Sequence, residues 1–209
     1  MISPLAHVDP SAKIGKNVTV YPFAYIDKNV EIGDNCTIMP YASVLDGTRM
    51  GTGNTVYQSA ILGAAPQDFK FKGEDTILVI GNDNTIREKA IVNRATYPDG
   101  VTSIGDGNFL LEGVHVAHDT KIGNKCILGN GAKTAGECVI DDKAILGSGV
   151  ILKHGCHIGR WWRNRETWMP HWDLGPGEGR MPGQQGRTAL HRSRAQPDRL
   201  LWSERRTVV

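Results

Sequence analysis

Taking every sixth position from Ile2 gives Val8, Ile14, Val20, Ile26, Ile32, Ile38, Val44, Met50, Val56 and Leu62. The beat lapses, resumes at Ile80, Ile86 and Val92, and then runs from Ile104 through Leu110, Val116, Ile122, Leu128, Thr134, Ile140, Leu146 and Leu152 to Ile158. The spacings of three and four that an amphipathic helix requires are absent. A six-residue repeat this sustained predicts a parallel β-helix, in which each hexad forms one flat face and three hexads close a coil. The second hexad position is often Gly or Asp, as at Gly15, Asp27, Gly33, Gly105, Gly123 and Asp141. The fifth is small, as at Ala12, Ala24, Cys36, Ala42, Ala60, Ala90, Cys126, Ala132 and Ala144. First and fifth positions must then point into a narrow prism, where one large aliphatic and one small residue share the cross-section.

Two interruptions break the repeat. One follows Leu62 and contains GAAPQDFKFKGEDT, with a loop expected at about 67–79; the other follows Val92 and contains TYPDGVTS, with a loop expected at about 97–103. Parallel strands stack about 4.8 Å apart, so residues separated by multiples of one coil sit above one another. His118, Gly136 and His154 form such a column, all on the third, outward-facing hexad position. Counting faces modulo three brings the hexads of Leu62, Val92 and Val116 to one side, so both loops should emerge beside that column. Long loops in compact repeats usually carry function. A polar column beside two loops predicts a cleft without naming its substrate.

A formal net charge of +2 over 209 residues gives no reason to expect nucleic acid or another polyanion as partner. The near-neutrality conceals a split. Residues 1–159 hold eleven Lys, three Arg and seventeen acids, whereas residues 160–209 hold ten Arg, no Lys, five acids and all five Trp. The predicted organisation is therefore a β-helical domain over 1–159 and an irregular Arg/Trp-rich tail over 160–209, expected to be disordered. One reading of that tail is a basic extension that touches lipid or nucleic acid. The other is a slip of reading frame near Arg160: read one nucleotide later, the single tryptophan codon always becomes glycine, and Trp161, Trp162, Trp168, Trp172 and Trp202 would all return to a residue suited to a continuing coil. No signal peptide or apolar run long enough to cross a bilayer is present, which leads to the expectation of a cytoplasmic protein. Cys36, Cys126, Cys138 and Cys156 all fall on the fifth position and read as small buried hydrophobes, with no metal-ligand spacing such as CxxC.

Three segments go further. PQDFKFKGE (Pro66 to Glu74), IREKAIVNRAT (Ile86 to Thr96) and FLLEGVHVAHDTKIGNKCILGNGAKTAGE (Phe109 to Glu137) resemble the acyl-carrier-protein-dependent UDP-N-acetylglucosamine O-acyltransferases of lipid A biosynthesis, within the hexapeptide-repeat transferases. The resemblance covers about residues 1–159. It implies a left-handed coil against the usual crossover rule, a homotrimer with sites between subunits, and transfer of a 3-hydroxyacyl chain from acyl carrier protein to the 3-hydroxyl of UDP-N-acetylglucosamine. No cofactor is implied beyond the carrier's phosphopantetheine thioester as co-substrate, and no metal. A sugar hydroxyl is a poor nucleophile, so a neutral imidazole is a natural proton acceptor. By the resemblance His118 is the catalytic base, Asp119 its support, and the Gly136 N–H the oxyanion donor. Gln67, Asp68, Lys70 and His115 would line the substrate site, with Lys70 suited to a phosphate.

The chain departs from that family at three places. Glu137 stands where the family usually has a second histidine, Lys153, His154 and Gly155 replace a His-Gln-Phe stretch, and nothing after Arg160 resembles the family's further coils and C-terminal helical domain. Glu137 and His154 are therefore retained as altered substrate-site residues, and the chain as written is expected to have little or no activity. Two other functions fit the repeat. A hexapeptide-type carbonic anhydrase would use His118, His154 and His157 as metal ligands from adjacent subunits, although the usual pair of histidines five apart is missing. A trimeric β-helical scaffold with an incidental polar column is the non-enzymatic alternative.

Overall fold

The computed structural model describes residues 1–164; residues 165–209, and with them most of the 160–209 tail and its expected disorder, lie outside the described residues. Among the described residues there are twenty-four short strands and no helix, from β1 (His7–Val8) to β24 (Arg163–Asn164). Every third strand pairs in parallel, so the strands sort into three eight-stranded sheets that wrap one triangular prism. The fold is a left-handed parallel β-helix.

Six-residue periodicity becomes structure because two residues form each strand and four make each corner. The first hexad residue points inward and is essentially inaccessible from Val20 and Ile26 through to Ile158. At the corners the chain enters the left-handed backbone region, which glycine and asparagine tolerate best. Asn17, Asn29, Asn35, Gly53, Gly113 and Gly131 take it there, although Phe23, Tyr41 and Lys125 do so as well. One apolar core runs the length of the coil, and each aliphatic side chain buried in it contributes roughly 1.5–3 kcal/mol.

The expectation of a small apolar residue at every fifth position fails in the middle of the prism, where Asn54, Asn84 and Asn108 are buried between Cys36 and Cys126. Their side-chain oxygens are satisfied as a ladder, while Asn108 Nδ2 has no partner among the described residues. Asn54 Oδ1 accepts the Asn84 N–H at 2.9 Å and its Nδ2 at 3.0 Å, Asn84 Oδ1 accepts the Asn108 N–H at 2.8 Å, and Asn108 Oδ1 accepts the Cys126 N–H at 2.7 Å. Bonding of this kind offsets the cost of burying the amide oxygens. The cysteines are buried free thiols, as their position suggested.

Register locates the two excursions. Paired residues are 18 apart in plain coils, 30 apart across the first excursion and 24 apart across the second. The first leaves after β10 (Ile61–Ala64) and the second after β13 (Ile91–Asn93). Both are shorter at their far ends than expected, because the coil resumes in β11 (Ile77–Ile80) and β14 (Val101–Ile104). Four backbone pairs join those two strands, so residues assigned to loops 67–79 and 97–103 close a sheet instead. At the upper end, strand pairing continues past Gly159: Arg163 and Asn164 pair with Ile145 and Leu146, and Trp162 packs against the core from the fifth position.

Candidate functional site

β10, β13, β16 (His115–Val116), β19 (Lys133–Thr134) and β22 (Ile151–Leu152) lie in one sheet. The corner following this sheet carries the 65–76 excursion, the 94–100 excursion, His118, Gly136 and His154 in that vertical order. The modulo-three count thus puts loops and column together, as expected.

His118 is not the outward, solvated residue that its hexad position implies. It is only 7% exposed. Its ring lies against the Gly136 Cα on the coil above: a Cβ placed there would fall 2.7 Å from Nε2. On one side its Nδ1 meets Asp119 Oδ2 at 2.8 Å; on the other, its Nε2 faces Asp68 Oδ2 of the first loop at 3.7 Å. Asp119 is itself fixed. Its carboxylate accepts the Thr96 N–H at 3.1 Å, and its own N–H donates to the Thr102 hydroxyl at 2.8 Å. A carboxylate at Nδ1 assigns the neutral ring's proton to that nitrogen and leaves Nε2 as a lone-pair acceptor. Between Nε2 and Asp68 two acceptors face one another, an arrangement that calls for a donor from a third group.

Gly136 is buried, and its N–H donates to no acceptor among the described residues. Adjacent backbone is committed, because the Glu137 N–H reaches the His118 carbonyl at 3.1 Å and the Gly136 carbonyl accepts the Gly155 N–H at 3.0 Å. An unpaired amide held rigidly one coil from the imidazole is a donor available to a developing negative charge.

The remaining expected residues divide. Lys70 stands over the corner, its ammonium donating to the Tyr97 hydroxyl at 3.1 Å. That hydrogen bond, and after it the nearby charges of Asp68 and Glu137, hold its pKa above the ordinary lysine range. Tyr97 donates in turn to Glu137 Oε1 at 3.3 Å, and His154 Nε2 meets Glu137 Oε2 at 3.3 Å. His115 lies on β16 in register between Ile91 and Lys133, half-buried, with its pKa lowered by burial first and then by the charges of Lys133 and His118. Gln67 is exposed on the loop and makes no hydrogen bond to these groups among the described residues. His157 falls on β23 (His157–Ile158) of another sheet, facing Asp141 at 3.1 Å, so it does not join His118 and His154. No cluster of three metal-ligating side chains occurs among the described residues.

Thr96, Tyr97 and Thr102 were missed from sequence. The threonines are ordinary β-helix residues until their contact with Asp119 is seen, and only the position of Tyr97 within the TYPDG interruption hinted at its use.

The bacterial transferase hexapeptide model (six repeats) matches residues 102–136. The chain is 56% identical over 124 residues to acyl-(acyl-carrier-protein)–UDP-N-acetylglucosamine O-acyltransferase of Halorhodospira halophila and 43% identical over 126 residues to that of Saccharophagus degradans. These matches take in 59% and 60% of the chain but only 48% and 49% of the relatives, so the chain spans about half their length. Among solved structures, the UDP-N-acetylglucosamine acyltransferase of Francisella novicida superposes with a TM-score of 0.76 at 38% identity, covering 78% of this chain and 60% of that one. That of Bacteroides fragilis superposes with a TM-score of 0.68 at 49% identity, covering 76% of this chain and 67% of that one. Repeat, fold and identity over that share of the Bacteroides enzyme agree: the chain belongs to the UDP-N-acetylglucosamine O-acyltransferase family of hexapeptide-repeat transferases.

Proposed function

We propose that this corner transfers a 3-hydroxyacyl group from the thioester of acyl carrier protein to the 3-hydroxyl of UDP-N-acetylglucosamine, the opening step of lipid A biosynthesis. The observation that carries the reading is the His118–Asp119 pair beneath the loop, with Nε2 open and the unpaired Gly136 amide one coil away. The sugar hydroxyl donates its proton to Nε2 as its oxygen attacks the thioester carbonyl carbon. Asp119 supports the imidazolium that forms, and the Gly136 N–H receives the negative charge on the former carbonyl oxygen. Collapse of that intermediate breaks the carbon–sulfur bond, and the imidazolium returns its proton to the departing thiolate. Asp68 is placed to accept a further hydroxyl of the sugar, and the Lys70 ammonium to meet a phosphate. Gln67, His115, Glu137 and His154 line the approach.

The same reading places the protein in the cytoplasm as a homotrimer. No helix of the described residues is long and apolar enough to cross a membrane. Because the chain as written is expected to turn over weakly at best, the test is a single-turnover assay with protein in excess over labelled 3-hydroxyacyl carrier protein, which registers even one slow transfer, alongside calorimetry with UDP-N-acetylglucosamine. Label transferred by the chain and lost in His118→Ala supports the reading. Retained transfer in His118→Ala removes the imidazole from the base role, and a chain that neither binds the nucleotide sugar nor transfers label refutes the function.

A further inference from the structure

Lys70 is exposed on the loop at this corner, yet its ammonium has a partner. Its ammonium donates to the Tyr97 hydroxyl at 3.1 Å and stands 5.6 Å from the centre of the same ring. The hydroxyl donates its own hydrogen bond to Glu137 Oε1 at 3.3 Å, and Glu137 Oε2 faces His154 at 3.3 Å. Four side chains from two excursions and two coils thus form one chain of contacts across the mouth above His118. Glu137 is anchored at its base, since its N–H is bonded to the His118 carbonyl. Within the loop, the Lys70 N–H donates to Asp68 Oδ1 at 2.9 Å and so links the two residues.

A free lysine side chain samples many rotamers, and ordering it on binding costs free energy. A hydroxyl that both accepts from the ammonium and donates to a carboxylate fixes that ammonium beforehand, which lowers the cost of binding. Asp68 benefits as well, because it belongs to the same short loop and faces Nε2 of His118 at 3.7 Å.

We propose that Tyr97 is a positioning residue: together with Glu137 it latches the Lys70 loop to the coil, holding the ammonium where a nucleotide phosphate arrives and the Asp68 carboxylate opposite His118. The inference rests on the proposed function for its ligand and on geometry alone for its latch. Tyr97→Phe removes the hydroxyl while keeping the ring beside the ammonium. In the ligand-free full chain, amide exchange over 67–73 should accelerate about three- to tenfold on that substitution, since the hydroxyl's two exposed hydrogen bonds, to the Lys70 ammonium and the Glu137 carboxylate, are lost. The hydrogen-bonded Lys70 ammonium signal in side-chain nitrogen NMR should disappear. UDP-N-acetylglucosamine affinity should fall by a similar factor of about three to ten, with the thermal midpoint unmoved; a merely structural role would shift that midpoint and leave the affinity of the folded protein unchanged. Glu137→Gln, which keeps an acceptor for the phenol, should retain most of the loop protection.

Unaltered exchange and an unaltered ammonium signal in Tyr97→Phe overturn the latch. Faster exchange with unaltered affinity overturns the positioning role. A chain that binds no nucleotide sugar removes the proposed function, and exchange together with the ammonium signal then decides the latch by itself.

Discussion

Gly136 is the tightest point of the site. A methyl group there would stand 2.7 Å from Nε2 and 3.0 Å from Nδ1 of His118, and closer still to Cε1. Non-bonded heavy atoms settle at about 3.5–4.0 Å, so Gly136→Ala demands a displacement of roughly 1 Å in the ring or the coil. The ring has little freedom to give, since Asp119 holds it at 2.8 Å, and the corner backbone is tied above and below. Overpacking of this kind costs about 1–3 kcal/mol, which for a protein of this size lowers the thermal midpoint by about 2–4 °C per kcal/mol. The assay is a double-mutant cycle by urea denaturation. With His118→Ala in place the methyl meets no ring, so Gly136→Ala should become nearly neutral and the coupling energy should match the original cost of about 1–3 kcal/mol. An equal penalty in both backgrounds would refute the stacking of imidazole on Gly136. In the transfer assay the same displacement should lower the rate on the order of 100-fold, the usual consequence of misplacing a reacting group by about 1 Å.

Asn84→Leu leaves the buried Asn108 N–H without its acceptor and takes the Nδ2 donor from Asn54 Oδ1, which keeps only the backbone N–H of residue 84, and should destabilise the chain by about 1–3 kcal/mol in the same denaturation assay; a loss under about 0.5 kcal/mol would show that the ladder contributes little. Burial pushes the Cys138 thiol up to about 11, so at pH 8 its thiolate is on the order of one part in a thousand, and it should react with Ellman's reagent only after urea unfolding. His115 has a lowered pKa, caused first by burial and then by Lys133 and His118. Its unfolded form therefore takes up a proton before the folded form does. Stability should be unaffected by His115 above about pH 6.5 and should decline as pH falls from there through the lower folded value. His115→Gln should flatten that decline in urea midpoints measured between pH 7 and 5; an unchanged slope would count against the burial of this imidazole.

The six-residue beat by itself determined the parallel coil, the inward set of aliphatics and the burial of the cysteines, because a two-residue strand and a four-residue corner leave only one way to hide a side chain at each first position. It also brought His118, Gly136 and His154 to one corner, since 18-residue coils superpose like with like. Asn54, Asn84 and Asn108 were illegible as core residues: an amide belongs there only when the next coil supplies its partner. His118 read as outward-facing because periodicity gives a direction and not a depth; the loop that brings Asp68 to His118 and Lys70 to Tyr97 does so through contacts between residues far apart in the chain. The tautomer of His118 likewise required Asp119 to be turned toward Nδ1 by Thr96 and Thr102. A repeat fixes what recurs every coil, whereas the site consists of what occurs once, and single events in a coil are decided by the tertiary contacts of its interruptions.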